Sequence, residues 1–477
     1  MTEGDSLPGN GHHVMKPFAG DWKQSCLWIL LAVVCFNVAY TSIHHSALGW
    51  FIIGYAYALV RLADQPTVRR AFYFGLITAY LCIAPQAFFM WKIFNAFAII
   101  LWLVLAFWVG LFTATVCGCF LRWGRGQTLW LIPIIWMGIE YFRSELYYLR
   151  FSWLNLGYAL PVAAYHWLPV GMYGLGFCVL TLVAILSSGA KWNDGQAKSL
   201  RILAVLIAGI SVAIAIGYIP NSKFITKLDI TGIQAEFPGE SLLPKLLNKA
   251  YQHNTNAQIF VLSEYTLDGG VPNALKDWCR EHSRYLIVGG KDVITNDIYY
   301  NTAFVVGTNG DIVFKQAKSV PIQFFHDGLA ATNQSLWKSP WGPIGICICY
   351  DLSYTRVTDH LAEQGARLLI VPTMDVGDWG LHQHELHARV APVRAAEYHV
   401  PIFRLASSGI SQAVDQNGRT LAETKPFANG ENLDVEYDLT SAAKPPIDRL
   451  FASFSVLCVV TILALLVFDR KKPSVPK

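Results

Sequence analysis

The chain has 477 residues, 53% hydrophobic and only 15% charged, where a soluble domain carries roughly 25% charged residues. That shortfall excludes an ordinary soluble multidomain enzyme, and 13% aromatic residues with 16 tryptophans exclude a disordered chain. A formal charge of +4 is too small to indicate a nucleic-acid partner, and 10 cysteines are too few for a disulfide scaffold.

In chain order, the charge is missing in blocks. No Asp, Glu, Lys or Arg occurs in 26–60, 71–91, 93–121, 126–139, 151–190, 202–222 or 450–468. A bilayer core about 30 Å thick takes roughly 20 apolar residues of helix. The first block is long enough for two spans with a turn at His44, His45 and Ser46. The pattern predicts a polytopic α-helical membrane bundle of about eight spans, at about 26–42, 46–62, 71–91, 94–120, 127–143, 168–187, 201–219 and 450–468.

Fourteen basic residues lie in one set of flanking loops: Lys16, Lys23, Arg61, Arg69, Arg70, Arg122, Arg125, Lys191, Lys198, Arg201, Arg470, Lys471, Lys472 and Lys477. The opposite short loops hold Lys92, Arg143 and Arg150. The asymmetry predicts both termini in the cytoplasm. The first helix lacks a cleavage-site pattern and reads as a retained anchor. Mid-span ionisable residues would favour ion-coupled transport, and these spans have none at their centres. Trp91, Trp136, Trp153 and Trp167 read as interfacial anchors rather than as lipid-selecting residues.

Residues 223–449 differ in kind, with 20 basic and 25 acidic residues against 17 and 8 in the rest of the chain. Short β-rich runs at 228–234, 259–262, 285–288, 302–306, 344–349, 368–371 and 402–406 alternate with helix-like stretches at 241–252, 274–282, 355–364 and 384–397. Such alternation predicts an α/β domain with mixed or parallel sheets, placed outside the cytoplasm by the orientation above. The expected domains are 1–222 with seven helices, the inserted domain 223–449, and 450–477 with the last helix and a basic tail.

Three residues at strand ends carry the chemistry. Glu264 follows Ile259-Phe-Val-Leu-Ser, Lys318 follows Asp311-Ile-Val-Phe-Lys-Gln-Ala, and Cys349 closes Ile344-Gly-Ile-Cys-Ile-Cys. In open α/β sheets active groups gather at the carboxyl ends of strands. A thiol there needs a base, which Glu264 supplies, and an ammonium lowers the thiol pKa and stabilises an oxyanion. Taken singly each is weak: a strand cysteine is usually core, and a Glu or Lys after a strand is usually solvated. Cys347, deeper on the strand, and Cys279, in a helix, read as packing residues. His382, His384 and His387 are close together, but no cysteine or carboxylate set completes zinc spacing. Arg394 and Glu397 read as a helical ion pair. Asp351 either orients the loop after Cys349 or contacts substrate.

Together these motifs resemble the nitrilase (carbon–nitrogen hydrolase) superfamily, whose Glu–Lys–Cys triad has this chain order. Leu262-Ser-Glu264, Tyr300-Asn-Thr-Ala-Phe-Val with Gly310, Cys349-Tyr350-Asp351, Arg394-Ala-Ala-Glu397 and Ser408-Gly409 are similar to its successive motifs. The resemblance implies an αββα sandwich. Seven spans before such a domain and one after it resemble the apolipoprotein N-acyltransferase family, as does the segment from Ile139-Glu-Tyr-Phe-Arg143 to Phe151-Ser-Trp-Leu-Asn-Leu-Gly-Tyr158. This chain departs from the family at several points. Gln316 stands at the usual lysine offset before Pro321, leaving Lys318, favoured by its spacing from Gly310, or Lys315. The second glutamate is absent, with His326 and Asp327 the nearest polar pair. Cys-Tyr-Glu becomes Cys349-Tyr350-Asp351, and Thr-Asn-Asp-x-Trp becomes Thr373-Met-Asp-Val-Gly-Asp-Trp379.

The resemblance implies Cys349, Glu264 and Lys318 as catalytic residues, with Tyr350, Asp351, His326, Asp327 and Trp379 as supporting or substrate-binding residues. It further implies a phospholipid acyl donor, an apolipoprotein amine as acceptor, an inner-membrane location and no metal or cofactor. A monomer is expected. Two other classes stay open at this point: a membrane-anchored amidase or nitrilase, and a catalytically silent binding module.

Overall fold

A computed structural model describes residues 22–41, 46–166, 170–188, 226–295, 297–439 and 442–468. The membrane part contains α1 (Trp22–Ala39), α2 (Ile52–Ala63), α3 (Val68–Gln86), α4 (Phe89–Phe94), α5 (Phe97–Trp123), α6 (Ile132–Tyr141) and α7 (Met172–Ser187). Among the described residues, three helices are long and apolar enough to cross a membrane: α1, α5 and the final helix Asp448–Phe468. The expected span at 201–219 lies outside the described residues, as do His44, His45 and Trp167. The last span begins two residues earlier than expected, because Asp448 and Arg449 are held in its first turn by buried partners.

These helices sort their faces by packing. In α1, Ser25, Ala32, Phe36 and Ala39 are buried along one stripe while Leu27, Leu30 and Val34 are exposed. On the final helix Leu450, Phe454, Leu457 and Phe468 are all more than 60% exposed. An apolar row of that size faces lipid, since in water it would drive association. Trp136 and Trp153, read from sequence as interfacial anchors, are each only 6% exposed. Trp136 packs edge-on against Phe112 inside the bundle, and Trp153 faces the inserted domain. Their rings fill interior space between elements, which a hydropathy run cannot distinguish from an interfacial belt.

The inserted domain consists of two six-stranded sheets packed face to face. The first has the order β12–β1–β2–β3–β4–β5, with β1 (Thr226–Gln234), β2 (Ile259–Val261), β3 (Tyr285–Thr295), β4 (Ile298–Val306), β5 (Ile312–Ala317) and β12 (Glu431–Leu439). The second has the order β11–β10–β9–β8–β7–β6, with β6 (Leu336–Ser339), β7 (Gly342–Ile346), β8 (Leu368–Thr373), β9 (Ile402–Ala406), β10 (Gln412–Val414) and β11 (Thr420–Glu423). In each sheet the three central strands are parallel and the outer ones antiparallel.

Period-two alternation produces the layers. Ile259, Val261, Ile287, Ala303 and Val305 join Ile344, Ile346, Ile370, Phe403 and Leu405 in the core between the sheets. Gly232 lies so close to Leu405 and Phe403 that an added Cβ would stand 2.5 Å from Leu405. The intervening residues Phe260, Leu286, Val288 and Phe304 turn outward. They meet Leu243, Leu247 and Ala250 of α8 (Leu243–His253) and Leu275, Trp278 and Cys279 of α9 (Asn273–His282). Burying each large apolar side chain is worth about 2 kcal/mol.

On the second sheet, Leu361 of α10 (Thr355–Glu363) packs on Gly345 and Leu369. The stretch expected as one helix at 384–397 is two, α11 (Leu381–Ala388) and α12 (Val390–Tyr398), which together with α10 cover this side. The outer layer here is continuous with the membrane part: Met172 N–H donates to Glu397 at 3.0 Å, and Gly174 N–H to Asp448 at 2.7 Å. The final helix is α13 (Asp448–Phe468).

Candidate active site

Both sheets deliver a polar group at the carboxyl end of a central parallel strand. Glu264 follows β2, and an added Cβ on Gly289 of the neighbouring β3 would stand 2.6 Å from the Glu264 Cα. The turn that presents Glu264 therefore depends on a side-chain-free neighbour. Cys349 follows β7. The strand stops at Ile346, earlier than expected, and Cys349 opens a short helical turn, Cys349–Ser353, with φ +52°. The cause is Asp351, whose carboxylate accepts from the N–H groups of Ile348 (3.1 Å), Ser319 (3.1 Å) and Val320 (2.7 Å), drawing the chain out of the sheet. Of the two roles open for Asp351, this geometry is that of loop orientation. A non-glycine residue in the left-handed region stores strain that clusters at functional sites.

Lys318 is wholly buried. Its Nζ lies 2.8 Å from Glu264 Oε1 and 2.8 Å from Asp327 Oδ2. Lys315, by contrast, is half-exposed and pairs with Asp292 on the outside of the sheet. Asn301 of β4 ties the two carboxylates together, its Nδ2 donating to Glu264 (2.6 Å) and Asp327 (2.9 Å), while its carbonyl accepts from the Lys318 N–H at 2.8 Å. Tyr265 O–H and Ile322 N–H also donate to Asp327, each at 2.8 Å. Met374 closes the ring: its N–H donates to Glu264 Oε2 at 2.7 Å, and its carbonyl accepts from the Cys349 thiol at 3.8 Å.

The electrostatics follow from burial and pairing. Burial raises the Glu264 pKa, and Lys318 only partly offsets it. Burial alone would lower the Lys318 pKa, but the two carboxylates outweigh it and hold the ammonium well above its usual range. Asp327 is also opposed by burial, yet Lys318 and its N–H donors keep it below the usual carboxylate range. The Cys349 thiol is pushed well up by burial and by Glu264, with Lys318 opposing. The resting arrangement is a neutral thiol beside a proton-accepting carboxylate of raised pKa and a fixed cation, as stepwise proton transfer requires.

The supporting candidates divide. Tyr350 is buried and donates to the Arg150 carbonyl at 3.0 Å. Asp327 joins the cluster, whereas His326 is exposed and meets Tyr299, accepting its O–H at the backbone carbonyl and packing ring against ring. Trp379 lines an apolar cavity with Met90, Phe94, Leu105, Trp153 and Tyr350, reaching from the Cys349 turn to helices α4 and α5. Cys347 and Cys279 are buried in the core. The three histidines are separately engaged: His387 with Asp375 (2.7 Å), His384 with the Val376 carbonyl (3.1 Å) and His382 with Gln86 (2.7 Å). Arg394 and Glu397 do form the buried helical ion pair, at 2.5 Å.

Asn301, Met374, Asp375 and Arg404 were not singled out as site residues from sequence. Asn301 carries a readable signal, a polar residue at the inward position of a strand that continues Ala303, Val305. Asp375, held by His387 and by Arg404 at 2.5 Å, lies next to Met374. Their association is tertiary and leaves no local pattern, beyond the need for glycine at 409, where a Cβ would collide with the Asp375 carboxylate.

Residues 238–443 match the carbon–nitrogen hydrolase family, and the chain is an enzyme of that type. Over its whole length it is similar to apolipoprotein N-acyltransferases. It is 23% identical to that of Geobacter metallireducens over 96% of this chain and 98% of the relative. It is 23% identical to that of Bdellovibrio bacteriovorus over 76% of this chain and 79% of the relative. A shorter similarity, 23% over 38% of this chain, covers 70% of the deaminated glutathione amidase of Dictyostelium discoideum. The resemblance read from sequence is borne out across the membrane part as well as the inserted domain.

Proposed function

We propose that the protein transfers a fatty acyl chain from a membrane phospholipid, through a thioester on Cys349, to the N-terminal amine of a lipoprotein. The observation that carries this reading is a buried Glu264–Lys318–Asp327 cluster beside Cys349, next to an apolar cavity that runs into the membrane helices. A small-amide hydrolase has no need of that cavity. Cys349 attacks the ester carbonyl, and Glu264 takes the thiol proton and returns it to the departing lysophospholipid alkoxide. Lys318 and a backbone N–H near Tyr350 stabilise the oxyanion. The free amine of the acceptor then attacks the thioester, Glu264 takes its proton, and the thiol is restored. The amide is more stable than the thioester, so transfer runs forward. Asp327 takes the place of the family's second acidic residue and keeps Lys318 charged. Trp379 lines the acyl cavity.

The same reading divides the chain into 1–222, 223–449 and 450–477. It places eight membrane helices with both termini in the cytoplasm, the catalytic domain on the outer side of the inner membrane, and a monomer as the working unit. The alternation of basic residues and the exposed apolar rows support it. The test is incubation of the full-length protein with acyl-labelled phospholipid and a diacylglyceryl-cysteinyl peptide. Label is expected in an amide on the peptide. Release of ammonia from small amides, with no label on the peptide, would favour the amidase alternative.

A further inference from the structure

One residue of the membrane part touches both halves of the catalytic machinery. Trp153 lies in the segment between α6 and α7, buried to 6% exposure, and forms part of the wall of the apolar cavity. Its indole N–H donates to Ser353 Oγ at 2.9 Å, at the end of the turn that Cys349 opens. Ser152 Oγ donates to the Ser353 carbonyl at 3.3 Å, and Tyr350 O–H reaches back to the Arg150 carbonyl at 3.0 Å. On its other side the Trp153 ring stacks on His387, centroids 4.6 Å apart and planes 20° from parallel. His387 holds Asp375 at 2.7 Å, and the adjacent Met374 peptide bonds both Glu264 and Cys349. The indole therefore bonds the last residue of the Cys349 turn directly, and is linked through His387 and Asp375 to Met374, which orients base and thiol.

We propose that Trp153 is a positioning residue that couples an acyl chain in the membrane-side cavity to the alignment of Cys349 with Glu264. This rests on the acyl-transfer reading above. A chain lying along the cavity presses on the indole, and a shift of the indole disturbs both Ser353 and His387. Filling the cavity thus holds the turn and the Met374 peptide in register, whereas a short chain that leaves the cavity empty does not. A wall residue with no link to the turn would affect binding alone.

The experiment measures single-turnover acylation of the full-length enzyme in detergent, with a long-chain phospholipid and with a short-chain ester of the same head group. Wild type is compared with Trp153→Phe, which keeps the ring and removes the N–H, with Ser353→Ala, and with the double variant. For wild type the saturated acylation rate is expected to be higher with the long chain. In Trp153→Phe the long-to-short ratio of saturated rates should fall about fivefold, the usual net worth of one hydrogen bond, with half-saturation for the long chain moving less than about twofold. Ser353→Ala should give the same fall, and the double variant no further one, because both remove one contact. An unchanged ratio, a change confined to half-saturation, or additive losses would each overturn the proposal. Wild type that acquires no acyl group from either donor would remove the transfer reading itself, and this coupling with it.

Discussion

The molecule buries two charge clusters that look alike in composition and differ in chemistry. At the strand ends, Lys318 sits between Glu264 and Asp327. At the junction with the last membrane helix, Arg449 sits among Glu397, Asp359 and Asp448, and Arg394 completes the set on Glu397. In the first, two carboxylates share one ammonium, and burial leaves Glu264 with a raised pKa. In the second, burial also opposes ionisation, but two guanidinium groups overcome it and hold Glu397 down at about 2. Arginine keeps its proton at any accessible pH, so neither cation of the junction has a proton to give up. A buried charge cluster becomes a reactive one when it abuts a nucleophile and a cavity. The junction residues line no part of the apolar cavity beside Cys349, and their pairing attaches α13 to the inserted domain.

This contrast can be broken most sharply at the lysine. Lys318→Met should lower acyl-enzyme formation by about 100- to 1,000-fold, the usual cost of losing one oxyanion-stabilising group, whereas Lys315→Met should stay within about twofold. Full activity in Lys318→Met, read by single-turnover kinetics, would move the catalytic cation elsewhere. At the junction the effect should fall on stability. Arg449→Met leaves Glu397, Asp359 and Asp448 short of a buried partner and should cost about 3–5 kcal/mol, measured by denaturant unfolding in detergent. Asn301→Leu should slow acylation by about tenfold while raising the apparent acid-side pKa, because it removes a donor that steadies ionised Glu264.

The smallest effects are in pH. Glu264 must be ionised to accept the thiol proton, and its folded pKa is raised. The acylation rate should therefore fall as pH drops through a value above the ordinary glutamate range, near 4.3. Glu397 behaves oppositely. Its folded pKa is depressed to about 2, so it contributes stability that is complete above the unfolded value of about 4.3 and is lost as pH falls toward 2. Unfolding free energy and acylation rate followed over the same acid range should separate, with activity failing first.

Much of this was legible in the sequence. The charge-free blocks located the described apolar helices, and the ends of β2, β5 and β7 marked Glu264, Lys318 and Cys349, which the fold brings together. Other features were physically hidden. Strand β12 has no apolar run, yet Leu433, Val435, Tyr437 and Leu439 alternate with polar residues, and only its pairing with β1 makes it an edge strand. Gln316 at the usual lysine offset left Lys315 and Lys318 open, and their difference lies in burial, which residue type does not encode. Asp375, His387 and Arg404 come from three elements. Trp153 lay in a charge-free stretch, where a wall of a cavity and an interfacial anchor have the same hydropathy.

The most direct test of the account is the covalent state of Cys349. The full-length enzyme incubated with phospholipid and no acceptor should gain the mass of one acyl chain on the peptide containing Cys349, sensitive to hydroxylamine and discharged by an added lipopeptide amine. Cys347→Ala should retain this adduct and Cys349→Ala lose it. An adduct that persists in Cys349→Ala, or transfer of label to the lipopeptide with no acyl-enzyme at any time, would contradict the account.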